Sequence, residues 1–497
     1  MVDRVRALER RLPLLLAALF AWTAAYFWNG CFWAQNARLD PILAFVEPGP
    51  HRLTFRIDGF LPDVERSWNT GDWARSPSDG HYYSNKAPGV ILAGVPVYAL
   101  LYGLERAVGV DPAALRPAVL NAWLLNLALS VIPVALALPV FHRVCRGPFG
   151  CDPARAGLLT ALLGFGTLLL PYSTQLWGHP TAAACEVFAL GALLSGRPRG
   201  PFLAGLWSGL ATLCDYAAGP VALLLVGLAG WRSGRRSALE VALGGAGPAL
   251  AMFAYHAWCF GDPFTLASSH SNPLFLREGR VGGLFGGVAP GVLRDLLLSW
   301  QHGLLVYMPA LALAPWAAVH GARGPRRELL LLCGAAALLL LLLHGTFAGW
   351  HGGNAFGPRY QIVALPWYVL LLAFLPRRPA VGAALTALLA WSVAVMLAAC
   401  LIGPCFRRPD LRTSALGATL RRSVAFARGE ELVRLRWYPA LPPRTFVAAD
   451  AGGMEELARL TVWNLGEKLG LAGRASLLPL VAGWAAIALA FAARPRR

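Results

Sequence analysis

Charge is scarce in this chain, and lysine scarcer still. Charged residues make up 14% of its 497 residues, against about 25% in an ordinary globular protein. That excludes the several soluble domains that the length alone would suggest. Lysine occurs only at Lys86 and Lys468, among 44 basic residues. The net charge of +18 is therefore an arginine charge. It falls in short clusters between apolar runs, the pattern that orients membrane proteins, and not in a nucleic-acid footprint. The nine cysteines form no close pair of metal-ligand spacing, so neither a disulfide scaffold nor a zinc module is written here. Cys400 and Cys405 flank an expected outer loop and could pair. A P-loop is missing too, as are internal repeats and low-complexity tracts beyond a Leu/Ala bias.

What is abundant is apolar sequence. Hydrophobic residues are 57% of the chain, and runs long enough for a bilayer, about 20 residues each, recur from end to end. Arg4 to Arg11 followed by Leu12 to Phe32 reads as a signal anchor, because the apolar run exceeds a secretory core and further spans follow. The remaining runs are roughly 87–107, 117–141, 156–171, 180–196, 201–231, 238–260, 303–320, 328–345, 361–376, 380–402 and 475–493. Parity settles the doubtful ones. If 87–107 is juxtamembrane or re-entrant, and 201–231 is two short helices breaking near Asp215 to Pro220, the chain crosses about twelve times. Every arginine cluster then shares one side with both termini: Arg143/Arg146/Arg155, Arg197/Arg199, Arg232/Arg235/Arg236, Arg323/Arg326/Arg327, Arg377/Arg378 and Arg494/Arg496/Arg497. That side is the cytoplasmic one. The expected fold is an all-α polytopic membrane protein with long outer segments at Trp33 to Pro88, Gly261 to His302, Thr346 to Tyr360 and Pro404 to Arg474. The last holds an amphipathic stretch near Leu416 to Leu435.

Polar residues concentrate in those outer segments. The first holds seven of the chain's 26 acids: Asp40, Glu47, Asp58, Asp63, Glu65, Asp72 and Asp79. They read either as a solvated loop or as carboxylates placed at a membrane surface for general-base work. The segment ends in Gly80-His81-Tyr82-Tyr83-Ser84-Asn85-Lys86-Ala87-Pro88-Gly89. A lysine kept at a membrane boundary in an arginine-rich chain can bind a phosphate as a compact point charge, or simply snorkel. His179 ends the turn Pro171 to Pro180, as a hydrogen-bonded structural group or a site residue, and Glu186 lies two helical turns further along the same face. Asp215, in an apolar stretch, is a functional candidate because intramembrane carboxylates are costly; pairing an arginine or capping a short helix would also account for it. Thr346 to Tyr360 reads TFAGWHGGNAFGPRY. Its glycines permit close backbone approach beside Trp350, His351 and Arg359, and Arg359 can clamp a phosphate or anchor the next helix.

Taken together, Thr70-Gly71-Asp72-Trp73, Gly80-His81-Tyr82-Tyr83, Lys86-Ala87-Pro88 and the GPRY loop resemble the GT-C superfamily of polyprenyl-phosphate-dependent glycosyltransferases. The branch most similar contains protein O-mannosyltransferases and the lipid A aminoarabinose transferase. The resemblance covers most of residues 12–376, so residues 1–376 are taken as a GT-C-like transmembrane module, with the first outer loop at 33–88. Residues 377–497 are taken as C-terminal spans with an outer segment 404–474. The resemblance implies a GT-C-type helical bundle with juxtamembrane helices in the first loop and a polyprenyl-phosphate-linked sugar donor; metal dependence stays open. It also implies transfer to an acceptor hydroxyl (of a glycan, lipid or protein) on the outer face of the membrane, with inversion and a first-loop carboxylate as base. No nucleotide-sugar domain is needed, and none is present. The branch usually carries Asp-Glu after the first span, where this chain has Gln35-Asn36. The following Arg38 matches. The base is then expected at Asp40, one turn after Asn36, with Asp58 and Asp72 next. Lys86 and Arg359 would hold the carrier phosphate, Tyr83, Asp215 and His351 would line the substrate site, and His179 would stand near an acidic residue of some relatives. Membrane lipids are the surrounding partner, nucleic acid is not, and the arginine-rich usage points to a bacterial inner membrane.

Two other readings fit part of the pattern. A transporter or flippase of a lipid-linked glycan would use Asp215, Glu186 and the histidines along a path, but transporters of that kind carry matching halves, which are missing here. A relative that binds polyprenyl phosphate without a base would account for the Gln35-Asn36 substitution.

Overall fold

The computed structural model describes residues 2–30, 32–61, 69–405, 414–436 and 459–493, with the backbone alone for 2–10, 433 and 434. Asp63, Glu65, the Arg494/Arg496/Arg497 cluster and much of 404–474 lie outside the described residues. The protein is an all-α polytopic membrane protein. Among the described residues six helices are long and apolar enough to cross a bilayer: Gly89–Ala107, Leu115–Arg146, Tyr216–Phe260, Arg327–Thr346, Pro379–Ile402 and Gly473–Ala493. Shorter apolar helices lie between them at Arg11–Tyr26, Pro153–Phe165, Gly200–Cys214 and Arg359–Phe374. Leu and Ala, strong helix formers, fill them, and Gly or Pro marks the breaks.

Small residues set the closest helix crossing. A side chain at Gly205 or Gly244 would overlap a carbonyl of the facing helix, Val241 O and Phe202 O respectively. The Gly200–Cys214 helix thus packs backbone-to-backbone against the 235–260 half of the helix that follows, with Gly209 against Pro248. This is the small-residue logic of membrane helix pairs. The two halves of 219–260 are separated at Gly234, whose φ of 81° no helix accommodates. The run 201–231 is also broken: Asp215 ends the Gly200–Cys214 helix in extended backbone and its side chain accepts the Ala217 N–H of a new turn.

The arginine clusters meet at one end of the bundle. Arg155 donates to the carbonyls of Leu375 and Pro376, Arg377 donates to Gly150 O, Gly150 lies against the Arg326 guanidinium, and Arg232 pairs with Glu328 at 3.2 Å. The chain ends share that end: Arg11 donates to Phe491 O at 3.0 Å, and Leu12 packs on Gly157. At the far end of the same helix pair Trp22 donates to Leu480 O at 3.0 Å and Trp484 to Thr23 Oγ1 at 2.9 Å. There Phe27–Asn29 pairs antiparallel with Val462–Asn464.

Gly89–Ala107 has a span's length, but it packs on the first-loop helix Trp33–Val46 and on the half of Leu115–Arg146 remote from the arginines. Gly94 sits against Leu129 and Asn121 donates to Glu105 Oε2 at 2.9 Å. The Leu416 to Leu435 stretch forms a helix at Ala415–Ala427 and a short one at Leu432–Leu435. Cys400 and Cys405 do not pair: both are buried free thiols, and Cys405 Sγ faces Gln175 Oε1 at 3.8 Å.

Candidate active site

Five chain segments converge at the end of the bundle opposite the arginine clusters. The first outer loop supplies three of the cluster's residues. Its helix Trp33–Val46 carries Arg38. A hairpin then pairs Trp73–Arg75 with Tyr82–Ser84 in the register Trp73↔Ser84. That register sets Asp72 opposite Asn85, whose N–H donates to Asp72 O at 3.3 Å, and the next residue brings Lys86 Nζ to Asp72 Oδ1 at 3.1 Å. Gly89 follows, with room for a Cβ only 2.7 Å from Cys214 Sγ and the Leu213 backbone. Gly178 also lies on Cys214, where a side chain would overlap the carbonyl oxygen and stand 3.5 Å from Arg38 Nη2. These two glycines let the Lys86 segment and the start of the Gly178–Leu193 helix close on the break at Asp215. His179 Nδ1 donates to Asp215 Oδ2 at 2.5 Å as a result. The GPRY loop adds Arg359, folded back over Gly352, whose φ is +67°.

Arg38 and Arg359 share one aromatic partner. Their guanidinium carbons lie 5.8 Å and 4.6 Å from the centre of the buried Trp177 ring, and Arg359 is 4.8 Å from the Tyr360 ring. Such contacts favour a cation without neutralising it. Arg38 donates to Ala34 O and Arg359 Nη2 to Tyr360 Oη at 3.0 Å. Arg38 Nε, Arg359 Nε and Arg359 Nη1 are buried with no hydrogen-bond partner among the described residues. Neither arginine makes an ion pair among the described residues, although both are only 4–8% exposed. A buried cation is ordinarily paired, and a buried N–H ordinarily has an acceptor. The arrangement is that of an anion site. Burial lowers the Lys86 ammonium to about 8, against the raising effect of Asp72. Burial lowers Arg38 to about 10, with Asp72 and Asp215 opposing, so it stays charged at neutral pH.

The other residues expected at the site divide. Asp40 is fully buried, and its Oδ2 accepts from Asn69 Nδ2 at 2.7 Å. Asn36 donates to Asn69 O and Oδ1 at 2.8 and 2.9 Å. Asn36 and Asp40 therefore do share a face, but it is the face that fastens the loop. Gln35 is occupied likewise, its Oε1 accepting the Leu176 N–H at 3.2 Å. Asp58 faces His81 Nδ1 at 3.2 Å and accepts the Tyr82 N–H at 3.3 Å. Tyr83 points to the other side of the hairpin, donating to Asp79 at 2.8 Å and accepting from Arg56 Nε at 3.3 Å. His351 is exposed, accepting the Gly353 N–H at 2.9 Å beside His302 and Trp350. Asp72, Lys86, Arg38, His179, Asp215 and Arg359 are the ones brought together.

Sequence reasoning does not single out the aromatic floor. Trp177 is the common partner, and Tyr360 links Arg359 to His179, whose ring lies 5.7 Å away. Behind it His344 stacks on Tyr360 at 5.8 Å and accepts from Gln361 at 2.6 Å, and Gln361 accepts from Tyr368 at 3.0 Å. The available signal is adjacency, Trp177 standing two residues before His179 and Tyr360 one after Arg359. Among the described residues no group of three or more His, Cys, Asp or Glu side chains is placed to hold a metal ion.

No family model matches the chain, and no curated protein does. Among solved structures it is similar to ArnT from Cupriavidus metallidurans bound to undecaprenyl phosphate. That alignment has 14% identity and a TM-score of 0.47, and covers 96% of this chain and 75% of that one. The apo state of the same protein gives 16% identity, a TM-score of 0.45 and the same coverage. A likeness of this degree concerns the overall course of the chain and assigns no residue a role.

Proposed function

We propose that this protein is a membrane glycosyltransferase of GT-C type. It moves a sugar from a polyprenyl-phosphate-linked donor to an acceptor hydroxyl, with inversion, at the outer face of a bacterial inner membrane. The observation that carries the reading is the pair of buried guanidinium groups, Arg38 and Arg359, without an ion pair among the described residues, on Trp177 beside Lys86. A phosphate fits three converging cations, two of them able to grip it bidentately. The cluster stands opposite the arginine-rich end, which the positive-inside rule places in the cytoplasm. Donor chemistry is thereby directed outward, and about twelve crossings with 87–107 folded back on the outer side agree with it.

In this reading the acceptor oxygen bonds to the anomeric carbon as the carbon–oxygen bond to phosphate breaks from the opposite side. The electron pair leaves on the phosphate, where Arg38, Arg359 and Lys86 stabilise the new charge. The acceptor proton passes to a carboxylate. Of the three first-loop candidates, Asp72 lies in the cationic cluster, whereas Asp40 and Asp58 are engaged by Asn69 and by His81 with the Tyr82 amide. Lys86 pairs with Asp72 in the resting site and turns to the phosphate when the donor enters. His179 and Asp215 orient each other at the rim.

The test is turnover by purified protein in nanodiscs with a panel of radiolabelled polyprenyl-phosphate sugars, following release of polyprenyl phosphate. Release that Asp72→Asn abolishes while carrier binding persists supports the assignment. Carrier binding with no donor ever consumed would make the protein a carrier-binding or flipping one.

A further inference from the structure

A cavity of about 960 Å³ opens at the other end of the bundle, among the arginines, and the proposed transfer does not use it. It lies between the end of Leu115–Arg146, the end of Gly178–Leu193 and the start of Gly200–Cys214. Its walls are apolar: Val140, Val144, Phe188, Leu203 and Trp207. Phe188 and Trp207 form one aromatic side, with ring centres 4.8 Å apart. Arg143, Arg197 and Arg199 also line it, as does Gly200, the first residue of a 15-residue helix whose N-terminus carries partial positive charge. None of the three arginine side chains has an ion pair or hydrogen bond among the described residues. Of the acids on neighbouring elements, Asp152 caps the Arg155 N–H, Glu240 pairs with Arg236 and Glu328 with Arg232, whereas Glu186 is buried on the Gly178–Leu193 helix beside Val144, Val187 and Trp367 and is not among the cavity's lining residues.

Three like charges without a counter-ion over a greasy hollow match one kind of molecule. We propose that this cavity is a binding site for an anionic glycerophospholipid of the cytoplasmic leaflet. The phosphate sits among Arg143, Arg197, Arg199 and the helix start, and an acyl chain lies along Val140, Val144, Phe188 and Trp207. Basic pockets between helices on the cytoplasmic side hold lipid head groups by this chemistry. A zwitterionic lipid would fill the walls equally well and leave the arginines unneutralised, so charge is what selects.

The experiment is native mass spectrometry of the delipidated full-length protein in detergent, titrated separately with phosphatidylglycerol, phosphatidylcholine and a polyprenyl phosphate. Wild type retains phosphatidylglycerol over phosphatidylcholine by roughly tenfold or more, from about fivefold per basic residue at a membrane surface less the screening of exposed side chains. The triple variant Arg143→Gln, Arg197→Gln, Arg199→Gln loses that preference and keeps its weak phosphatidylcholine binding, which reports that it is folded. Leu203→Trp leaves every charge in place and fills the cavity, and it too loses the retained lipid. Equal retention of both phospholipids by wild type overturns the proposal. So does undiminished preference in Leu203→Trp, since the arginines would then act only as a diffuse field. Retention of polyprenyl phosphate in preference to phosphatidylglycerol, abolished by the same variants, overturns the choice of lipid.

Discussion

Lys86 sets a limit on the alkaline side of the pH profile. Burial brings its ammonium down to about 8 from the usual 10.5. In the free protein it is therefore about 90% charged at pH 7 and about 10% charged at pH 9. If Lys86 joins Arg38 and Arg359 in receiving the donor phosphate as proposed, only its charged form does so, and kcat/KM, which reports groups of the free enzyme, falls about tenfold per pH unit above 8. The profile of kcat extends further, because a bound phosphate favours the ammonium and raises its pKa. Stability moves the other way. A lysine whose pKa is lowered by folding binds more protons when unfolded, so between about pH 8 and 10.5 folding gains stability from this group as pH rises. A loss of kcat/KM above pH 8 with no fall in Tm excludes unfolding as its cause. Lys86→Arg keeps a cation with a much higher pKa, and its alkaline limb moves up by a unit or more at some cost in geometry. Lys86→Ala removes one charge-assisted contact to a buried phosphate, worth about 2–3 kcal/mol, or about 30- to 150-fold in carrier affinity. The measurement is donor turnover from pH 6 to 10 in wild type and both variants, with thermal unfolding alongside. A flat kcat/KM to pH 9.5, or the same limb in Lys86→Arg as in wild type, refutes the assignment of the limb to Lys86.

Arg359→Gln and Arg38→Gln each weaken polyprenyl phosphate binding by about 2–3 kcal/mol, read by calorimetric titration in nanodiscs. Equal affinity would mean that the buried guanidiniums serve packing alone. Asp72→Asn abolishes donor turnover and leaves carrier affinity within about threefold, whereas Asp58→Asn, which changes only a bond to His81 and the Tyr82 amide, keeps most of the turnover. Asp40→Ala strips the acceptor from a fully buried Asn69 donor and lowers unfolding stability by about 1–3 kcal/mol, with the remaining folded protein still binding carrier. Gly178→Ala drives a methyl group into Cys214 O and costs about 1–3 kcal/mol. Because the strain falls between His179 and Asp215, turnover falls more than the folded fraction does.

The parts of this site that the sequence reveals are those where composition and context disagree. Lys86 is conspicuous because the chain otherwise uses arginine, Asp215 because a carboxylate interrupts an apolar run, Arg359 because it follows a glycine-dense loop. Each of these ends up in the cluster, because an unexpected charge in membrane surroundings is costly and is kept only where something compensates it. Topology is legible for a related reason: arginines gather at one end, and the structure joins four of their clusters there through contacts between segments far apart in sequence. What the sequence conceals is direction. Along the Trp33–Val46 helix Arg38 and Asp40 are two residues apart, so they project from different faces, and no local signal tells which face meets the cluster. In the hairpin, alternation turns Tyr83 away, while the strand register, invisible in one sequence, sets Asp72 opposite Asn85 and so within reach of the adjacent Lys86. The substituted pair Gln35-Asn36 looks from sequence like a lost catalytic acid. In the structure Asn36 is used in a way a carboxylate cannot reproduce, since it donates two hydrogen bonds to Asn69. An acid at position 36 would set its charge against Asn69 O and Oδ1, four residues from the buried Asp40. The chain has therefore built a polar clasp where relatives are expected to have an acid pair, and the carboxylate that pairs with Lys86 in the cationic cluster is supplied from the far side of the same loop, at Asp72.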